Sequence, residues 1–308
     1  MAIPDFYLDA EYWKKIDSLC TKRVSVSKDD PKMKEQLKDA DCVLVNPFGF
    51  VMDKSIIDMA PHLKFIDVLA TAYGKVDTVH AKKKGITVSN IPGYSTESVA
   101  EFVFGILLEH LREIERAKQQ GRKGPYSEVG YQATEIKGKI FGVFGTGRIG
   151  LRVAELANAF GADTRYYSRQ RKKELEKLGI KYEEPDALLE KCDIISLHFA
   201  LAKETENFLN SERIKKLKKS VIVINLAPVE FVDYDALEER LKKGELTYVF
   251  DHSDEMPEPV IKRLSKYKNF IAYPPIAYIS KEARIAKQEI FIENIKGFLK
   301  GAPTNKVN

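Results

Sequence analysis

The first residues whose types and spacing could do chemistry are a run of glycines. From Lys139 the chain reads KIFGVFGTGRIG: a short apolar run, then Gly145, Thr146, Gly147, Arg148, Ile149 and Gly150, then a stretch with helical spacing. Glycine at the first and third of these six positions permits a tight turn and lets backbone approach a pyrophosphate closely. Glycine at the sixth lets a helix pack tightly on the preceding strand, with the helix N-terminus turned to the phosphates. The apolar run before, the helix after, and a further strand pattern at 163–167 supply the context this spacing needs. Without them the same glycines would read as a turn with no ligand.

The end of that second strand bears on which dinucleotide is bound. An Asp or Glu there accepts hydrogen bonds from the ribose of NAD. Here the chain reads Tyr167-Ser168-Arg169-Gln170-Arg171-Lys172. Ser168 is neutral and does not repel a 2′-phosphate, while Arg169 and Arg171 can pair with one. NADP(H) is therefore expected, with NAD(H) second. The plain alternative is a basic first turn on a solvated helix.

These residues need elements to hold them. Short apolar runs at 42–46, 65–69 and 87–90 alternate with amphipathic stretches at 31–40 and 53–60. That alternation predicts parallel strands with covering helices, because parallel strands need crossover connections. A long helix is expected from Thr96, capped by Ser95 or Thr96 and running through Gln120. Residues 121–138 lose all periodicity and read as a linker. A second series follows, with strands at 139–144, 163–167, 194–197, 221–225 and 246–250, helices at 147–160 and 171–178, and a helical tail at 281–300. The class is α/β, with two Rossmann-like or flavodoxin-like parallel-sheet domains and a cleft between them.

Composition sets the outer bounds. The 308 residues are 44% hydrophobic and 31% charged, enough for two domains with real cores and unlike a disordered or disulfide-stapled chain. No apolar run approaches about 18 residues, so no membrane-spanning helix is expected. The opening MAIPDFYLDAEYWKK lacks the basic-then-apolar pattern of a signal peptide. Cys20, Cys42 and Cys192 lie far apart with no CxxC spacing, so a reduced, cytoplasmic protein without a bound metal is expected. The 50 basic and 45 acidic residues are interspersed, and the surplus of five calls for no nucleic acid.

With these residues placed, the chain resembles the D-isomer-specific 2-hydroxyacid dehydrogenase family, which includes glyoxylate reductases and phosphoglycerate dehydrogenases. The resemblance covers most of the chain. It rests on Gly85 to Gly93, Glu97 to Glu101, the segment Leu197 to Thr205, and Asn225 to Asp233. It implies a discontinuous lid or substrate domain of residues 1–95 plus 283–308 and a dinucleotide-binding domain of 96–282. It also implies a homodimer, a small-molecule substrate, and Asp251 near the nicotinamide carboxamide.

The same resemblance implies an Arg holding the substrate carboxylate, a His protonating the nascent alkoxide and a Glu orienting that His. This sequence departs from it at all three positions, which are Pro228, Met256 and Pro275. Proline offers neither a side-chain donor nor a backbone N–H. None of the five histidines (62, 80, 110, 198, 252) falls at the family position. His252 is nearest in sequence and reads as a surface or supporting residue, and Glu255 could replace the missing Glu only by a register slip. Tyr73, Tyr273 and Tyr278 are possible substitute donors, though a phenol near pH 10 is a slow acid; the alternative is that they fill the space left by smaller side chains. Glu230, two residues past Pro228, would make the pocket hostile to carboxylates. Two functions stay open: a divergent NAD(P)H-dependent reductase with an unusual substrate, or a catalytically silent nucleotide-binding sensor or scaffold. An ordinary 2-keto acid reductase ranks last.

Overall fold

The strands of this chain are short runs of β-branched and aromatic residues buried on both faces, as parallel strands covered by helices must be. The computed structural model describes residues 7–27, 29–47, 49–124 and 127–308. Residues 1–6, which open the segment read as free of a leader, lie outside the described residues, as do Pro125 and Tyr126 of the expected linker. The chain divides into two compact units, residues 1–95 with 280–308, and residues 96–279.

In chain order the first unit contributes α1 (Ala10–Asp17), α2 (Met33–Lys38), β1 (Cys42–Val45), α3 (Lys54–Asp58), β2 (Phe65–Val68), α4 (Thr78–Lys83) and β3 (Thr87–Ser89). The second unit opens with α5 (Thr96–Leu111), α6 (Ile114–Arg122), β4 (Ile140–Phe144), α7 (Arg148–Ala159), β5 (Asp163–Tyr167), α8 (Lys173–Lys177), β6 (Lys181–Tyr182) and α9 (Pro185–Lys191). It continues through β7 (Ile194–Leu197), α10 (Ser211–Lys216), β8 (Val221–Asn225), α11 (Tyr234–Lys242), β9 (Leu246–Asp251), α12 (Glu258–Leu264) and β10 (Phe270–Tyr273). The closing helix α13 (Lys281–Leu299) belongs to the first unit.

The first unit holds a three-stranded parallel sheet in the order β1-β2-β3. Its central strand is buried along its whole length, Asp67 included. Asn294 of α13 reaches that carboxylate, donating from Nδ2 to Asp67 Oδ1 at 2.9 Å and to the Asn90 carbonyl at 2.8 Å. Its own carbonyl accepts from Thr304 and Asn305. A chain of side-chain amides thus ties the closing helix to the sheet.

The second unit holds seven parallel strands in the order β10-β9-β8-β7-β4-β5-β6. Side chains alternate across it. Ile195, Val223, Tyr248 and Phe250 enter one core; Ile194, Ile222, Ile224 and Val249 enter the other, against α5 and α7. The order reverses between β4 and β7, and a doubly wound sheet binds ligands at such a switch point, at the carboxyl ends of its strands. The glycine loop follows β4 at that point.

The long helix expected from Thr96 to Gln120 is two helices. Glu113 adopts a left-handed conformation (φ 49°) between α5 and α6. Apolar periodicity cannot register this break, because partners far along the chain hold it. The Glu113 carboxylate accepts from the Gln132 amide at 2.6 Å, Arg116 donates to the Gly130 carbonyl at 2.8 Å, and the Thr134 amide caps the Leu111 carbonyl. The aperiodic stretch after 127 is therefore a strap bonded to the helix end. Among the described residues, no helix is long and apolar enough to cross a membrane.

Candidate dinucleotide and active site

The glycine loop is held by its neighbours. The Gly145 amide donates to the carbonyl of Tyr167, and the His198 amide to that of Phe144, so the ends of β4, β5 and β7 are joined. Gly145 sits at φ 92°, where a Cβ would lie 2.8 Å from the His198 backbone. At Gly150 a Cβ would come within 1.9 Å of the Gly145 carbonyl oxygen. These two positions require glycine for packing.

Gly147 differs: a Cβ there would meet nothing within 4 Å, so the outer side of the loop is open. Gly147 also begins α7 without any side-chain cap, which leaves the first amides of that helix to a ligand. Beside it the Thr146 hydroxyl is buried and has no partner among the described residues. Arg148 is exposed and Ile149 half-buried on the first turn. An orphan hydroxyl, an uncapped helix start and open space over a glycine fit a bound pyrophosphate.

Ser168, Arg169 and Arg171 do not share one condition. Ser168 is buried, its hydroxyl donating to the Gln170 carbonyl at 2.5 Å. Arg169 is exposed and has no ion-pair partner among the described residues. Arg171 lies 4.7 Å over the Tyr182 ring and 3.8 Å from Glu176, so it has partners of its own. Of these two arginines, Arg169 is the one without an ion-pair partner among the described residues.

The three positions at which the resemblance leads one to expect Arg, Glu and His are placed as follows. Asn225, fully buried at the end of β8, accepts from the Ala227 amide at 3.1 Å and donates to the Tyr248 hydroxyl at 3.1 Å. It thereby fixes the turn carrying Pro228, which is half-buried and starts a short 3-10 turn at Val229–Phe231 with Glu230 exposed. Met256 is 5% exposed and sits in the core with Tyr248, Phe250 and Leu264. Pro275 is half-buried, in a turn secured by Asp251, whose two carboxylate oxygens accept from the Ile276 and Ala277 amides at 3.0 and 3.2 Å. Burial pushes the Asp251 carboxyl above the ordinary carboxylate range, against the pull of those amides.

The tyrosines divide. The Tyr273 hydroxyl donates to Glu109 at 2.8 Å and its ring packs edge-on against Phe102 of α5, so it faces the helix core. Burial first, and Glu109 second, hold its phenol well above its usual range. Tyr278 is 37% exposed, and Tyr73, in the first unit, 38%.

Three features gave no sequence signal. His198, under the glycine loop, bonds through Nε2 to the Ser196 hydroxyl at 2.7 Å, and burial pushes it down to about 3, so it is neutral. Tyr248 reaches the Asn225 amide from the middle of β9, where only strand alternation marks it as buried. His252, next after Asp251, has φ 103°, a region non-glycine residues avoid. No group of three His, Cys, Asp or Glu among the described residues could hold a metal ion.

Comparison with known proteins bears on this arrangement. Residues 104–277, more than half of the chain, match the NAD binding domain of the D-isomer specific 2-hydroxyacid dehydrogenases. A glyoxylate reductase of Thermofilum pendens is 34% identical over 296 residues, covering 92% of this chain and 86% of that protein. A hydroxypyruvate reductase of Blautia hydrogenotrophica is 34% identical over 280 residues, covering 89% and 86%. Among solved structures, an acyclic imino acid reductase (Bsp5) in complex with NADPH and D-Arg superimposes with a TM-score of 0.83 at 29% identity, covering 99% of this chain and 97% of that one. D-lactate dehydrogenase of Aquifex aeolicus, complexed with NAD and lactic acid, gives 0.81 at 29% identity, covering 96% and 95%. Strand order, glycine loop and these matches agree: the chain belongs to the D-isomer specific 2-hydroxyacid dehydrogenase family, a family of nicotinamide-dependent oxidoreductases.

Proposed function

We propose that this protein is an NADP(H)-dependent reductase whose substrate is a carbonyl or imine compound other than a simple 2-keto acid. The observation that carries the reading is the set Pro228, Met256 and Pro275, with Met256 closed into the core. A 2-keto acid brings a carboxylate that needs a counter-charge, since an unpaired anion in a poorly solvated site is strongly disfavoured. Reduction then builds negative charge on the keto oxygen, which must be stabilised or protonated. Prolines and a thioether do neither. Exposed Glu230 beside Pro228 adds a charge of the wrong sign.

In this reading residues 96–279 form the nucleotide unit, and residues 1–95 with 280–308 the substrate-side unit. The amides at the start of α7, Thr146 and the open face of Gly147 hold the pyrophosphate. Ser168 admits a 2′-phosphate and Arg169 pairs with it, supported by the NADPH in the acyclic imino acid reductase relative. Asp251 orders the turn at 274–277 that borders the nicotinamide end. A bound reduced nicotinamide supplies hydride; the chain supplies position and exclusion of water.

The test is turnover with purified protein, following consumption of NADPH. Glyoxylate, pyruvate and hydroxypyruvate are expected below about 1 s⁻¹, under the ordinary enzyme range, while aldehydes, ketones without a carboxylate, or imines are reduced. A keto acid rate above that limit overturns the substrate reading. Tight NADPH binding with no turnover of any compound marks a nucleotide-binding scaffold instead.

A further inference from the structure

We propose that His252 is the proton donor of this site, its imidazole standing between Asp251 and Glu255 at the carboxyl end of β9. The proposal rests on the reductase reading above and names the residue that completes it. His252 Nε2 lies 3.9 Å from Asp251 Oδ2, and Nδ1 lies 3.8 Å from Glu255 Oε1. Both separations fall within ion-pair range and beyond hydrogen-bond range. Asp251 and Glu255 therefore flank the imidazole without taking up its ring nitrogens in hydrogen bonds. Asp254, in the same turn, is close enough to act on the Asp251 carboxyl.

Topology places the ring. All seven strands are parallel, so their carboxyl ends share one edge, with the glycine loop after β4 and His252 after β9. The adenosine half of a dinucleotide lies over β4, β5 and β6 in such a sheet, and the nicotinamide half crosses the switch point toward β7, β8 and β9. From β4 to β9 is three strand spacings, about 14 Å. His252 thus stands on the nicotinamide side of the edge.

The backbone at His252 supports a site there. Its φ of 103° is strained for a residue with a Cβ. The strain is held by the Ser253 amide bonded to the Tyr273 carbonyl at 3.1 Å and the Glu255 amide bonded to the His252 carbonyl at 2.9 Å. Such strain persists where surrounding structure fixes a side chain in a needed direction. The ring keeps 25% of its side-chain surface exposed.

Three other candidates in this unit, His198, His110 and Tyr273, are occupied by their own contacts. His198 is neutral and bonded to Ser196. His110 stands 3.4 Å from Thr247, at the amino end of β9. The Tyr273 hydroxyl is bonded to Glu109. In the step proposed, one N–H bond of the His252 imidazolium breaks and its proton forms an O–H bond, or N–H for an imine, on the atom made electron-rich as hydride reaches its carbon. The π pair of the double bond becomes the new bond to that proton. The imidazole is left neutral and recovers a proton from solvent.

The test reads the ring directly and then the reaction. Diethyl pyrocarbonate acylates accessible imidazoles, and mass spectrometry maps the product. Saturating NADPH is expected to abolish acylation at His252 and leave it unchanged at His62 and His80. His252→Gln still binds NADPH by calorimetry but loses about 100-fold or more in turnover of whichever of methylglyoxal, benzaldehyde and 1-pyrroline the unaltered protein reduces. NADPH binding with undiminished acylation of His252, or a His252→Gln variant of undiminished turnover, overturns the donor and leaves the reductase reading standing. Failure of NADPH to bind, or no turnover of the three compounds by the unaltered protein, overturns both.

Discussion

In the proposed NADP(H) reading, Arg169 is the one guanidinium offered to the 2′-phosphate. Ser168 removes a repulsion but supplies little attraction, because its hydroxyl already donates to Gln170. Arg171 is stacked on Tyr182, so its transfer to a phosphate would forfeit that contact. An exposed ion pair is worth about 1 kcal/mol at most. Arg169→Ala is accordingly expected to narrow the preference for NADPH over NADH by about fivefold, read by calorimetric titration of both nucleotides. Unchanged preference in the variant would show that another group reads the 2′-phosphate.

Among the elements, β9 and the turn after it determine what the site can become. The strand delivers Asp251 to the amides of 276 and 277 and turns sharply at His252, which sends Met256 into the core beside Tyr248, Phe250 and Leu264. A carboxylate at 256 would be an uncompensated buried charge. Met256→Glu is expected to lower unfolding stability by about 3–5 kcal/mol, while Met256→Leu, of similar volume, costs less than about 1.5 kcal/mol; urea denaturation separates the two. If Met256→Glu unfolds like the unaltered protein, the side chain at 256 turns outward and this account of the turn fails. Placing a carboxylate at 256 therefore demands repacking as well as substitution.

For the molecule as a whole, the most consequential buried ionisable group lies in the first unit. Asp67 is fully buried in the central strand of the first sheet, with Oδ1 bonded to Asn294 and Oδ2 without a partner among the described residues. Burial holds its carboxyl well above the usual range, outweighing the bond from Asn294. In the unfolded chain the same group ionises near pH 4. Between that point and its higher folded value the folded state holds a proton the unfolded state has lost, so stability falls as pH rises through this window, by about 1.4 kcal/mol per pH unit. Asp67→Asn keeps the acceptor for Asn294 and cannot ionise. The variant is expected to match the unaltered protein at pH 4 and exceed it in stability at pH 8, measured by urea midpoints at both. Parallel pH curves for the two proteins would show that Asp67 is charged in the folded state.

The sequence by itself determined the α/β class, the strands at 140–144, 163–167, 194–197 and 221–225, and the glycine loop with its dinucleotide. Each of these is written in local patterns: buried parallel strands are apolar throughout, and a loop that approaches phosphate needs glycine at fixed spacing. It also showed which residues occupy positions 228, 256 and 275. Short amphipathic helices such as α9 to α12 escaped notice because so few turns carry too weak a period. Tertiary structure alone decided the rest. The break at Glu113 depends on Gln132, and the condition of Arg171 on Tyr182, a neighbour one strand away. The placing of His252 between two carboxylates depends on a backbone angle that no local pattern encodes. Spacing in sequence fixes what is periodic; contacts between residues far apart in the chain fix which side chains remain available, and that availability decides the chemistry.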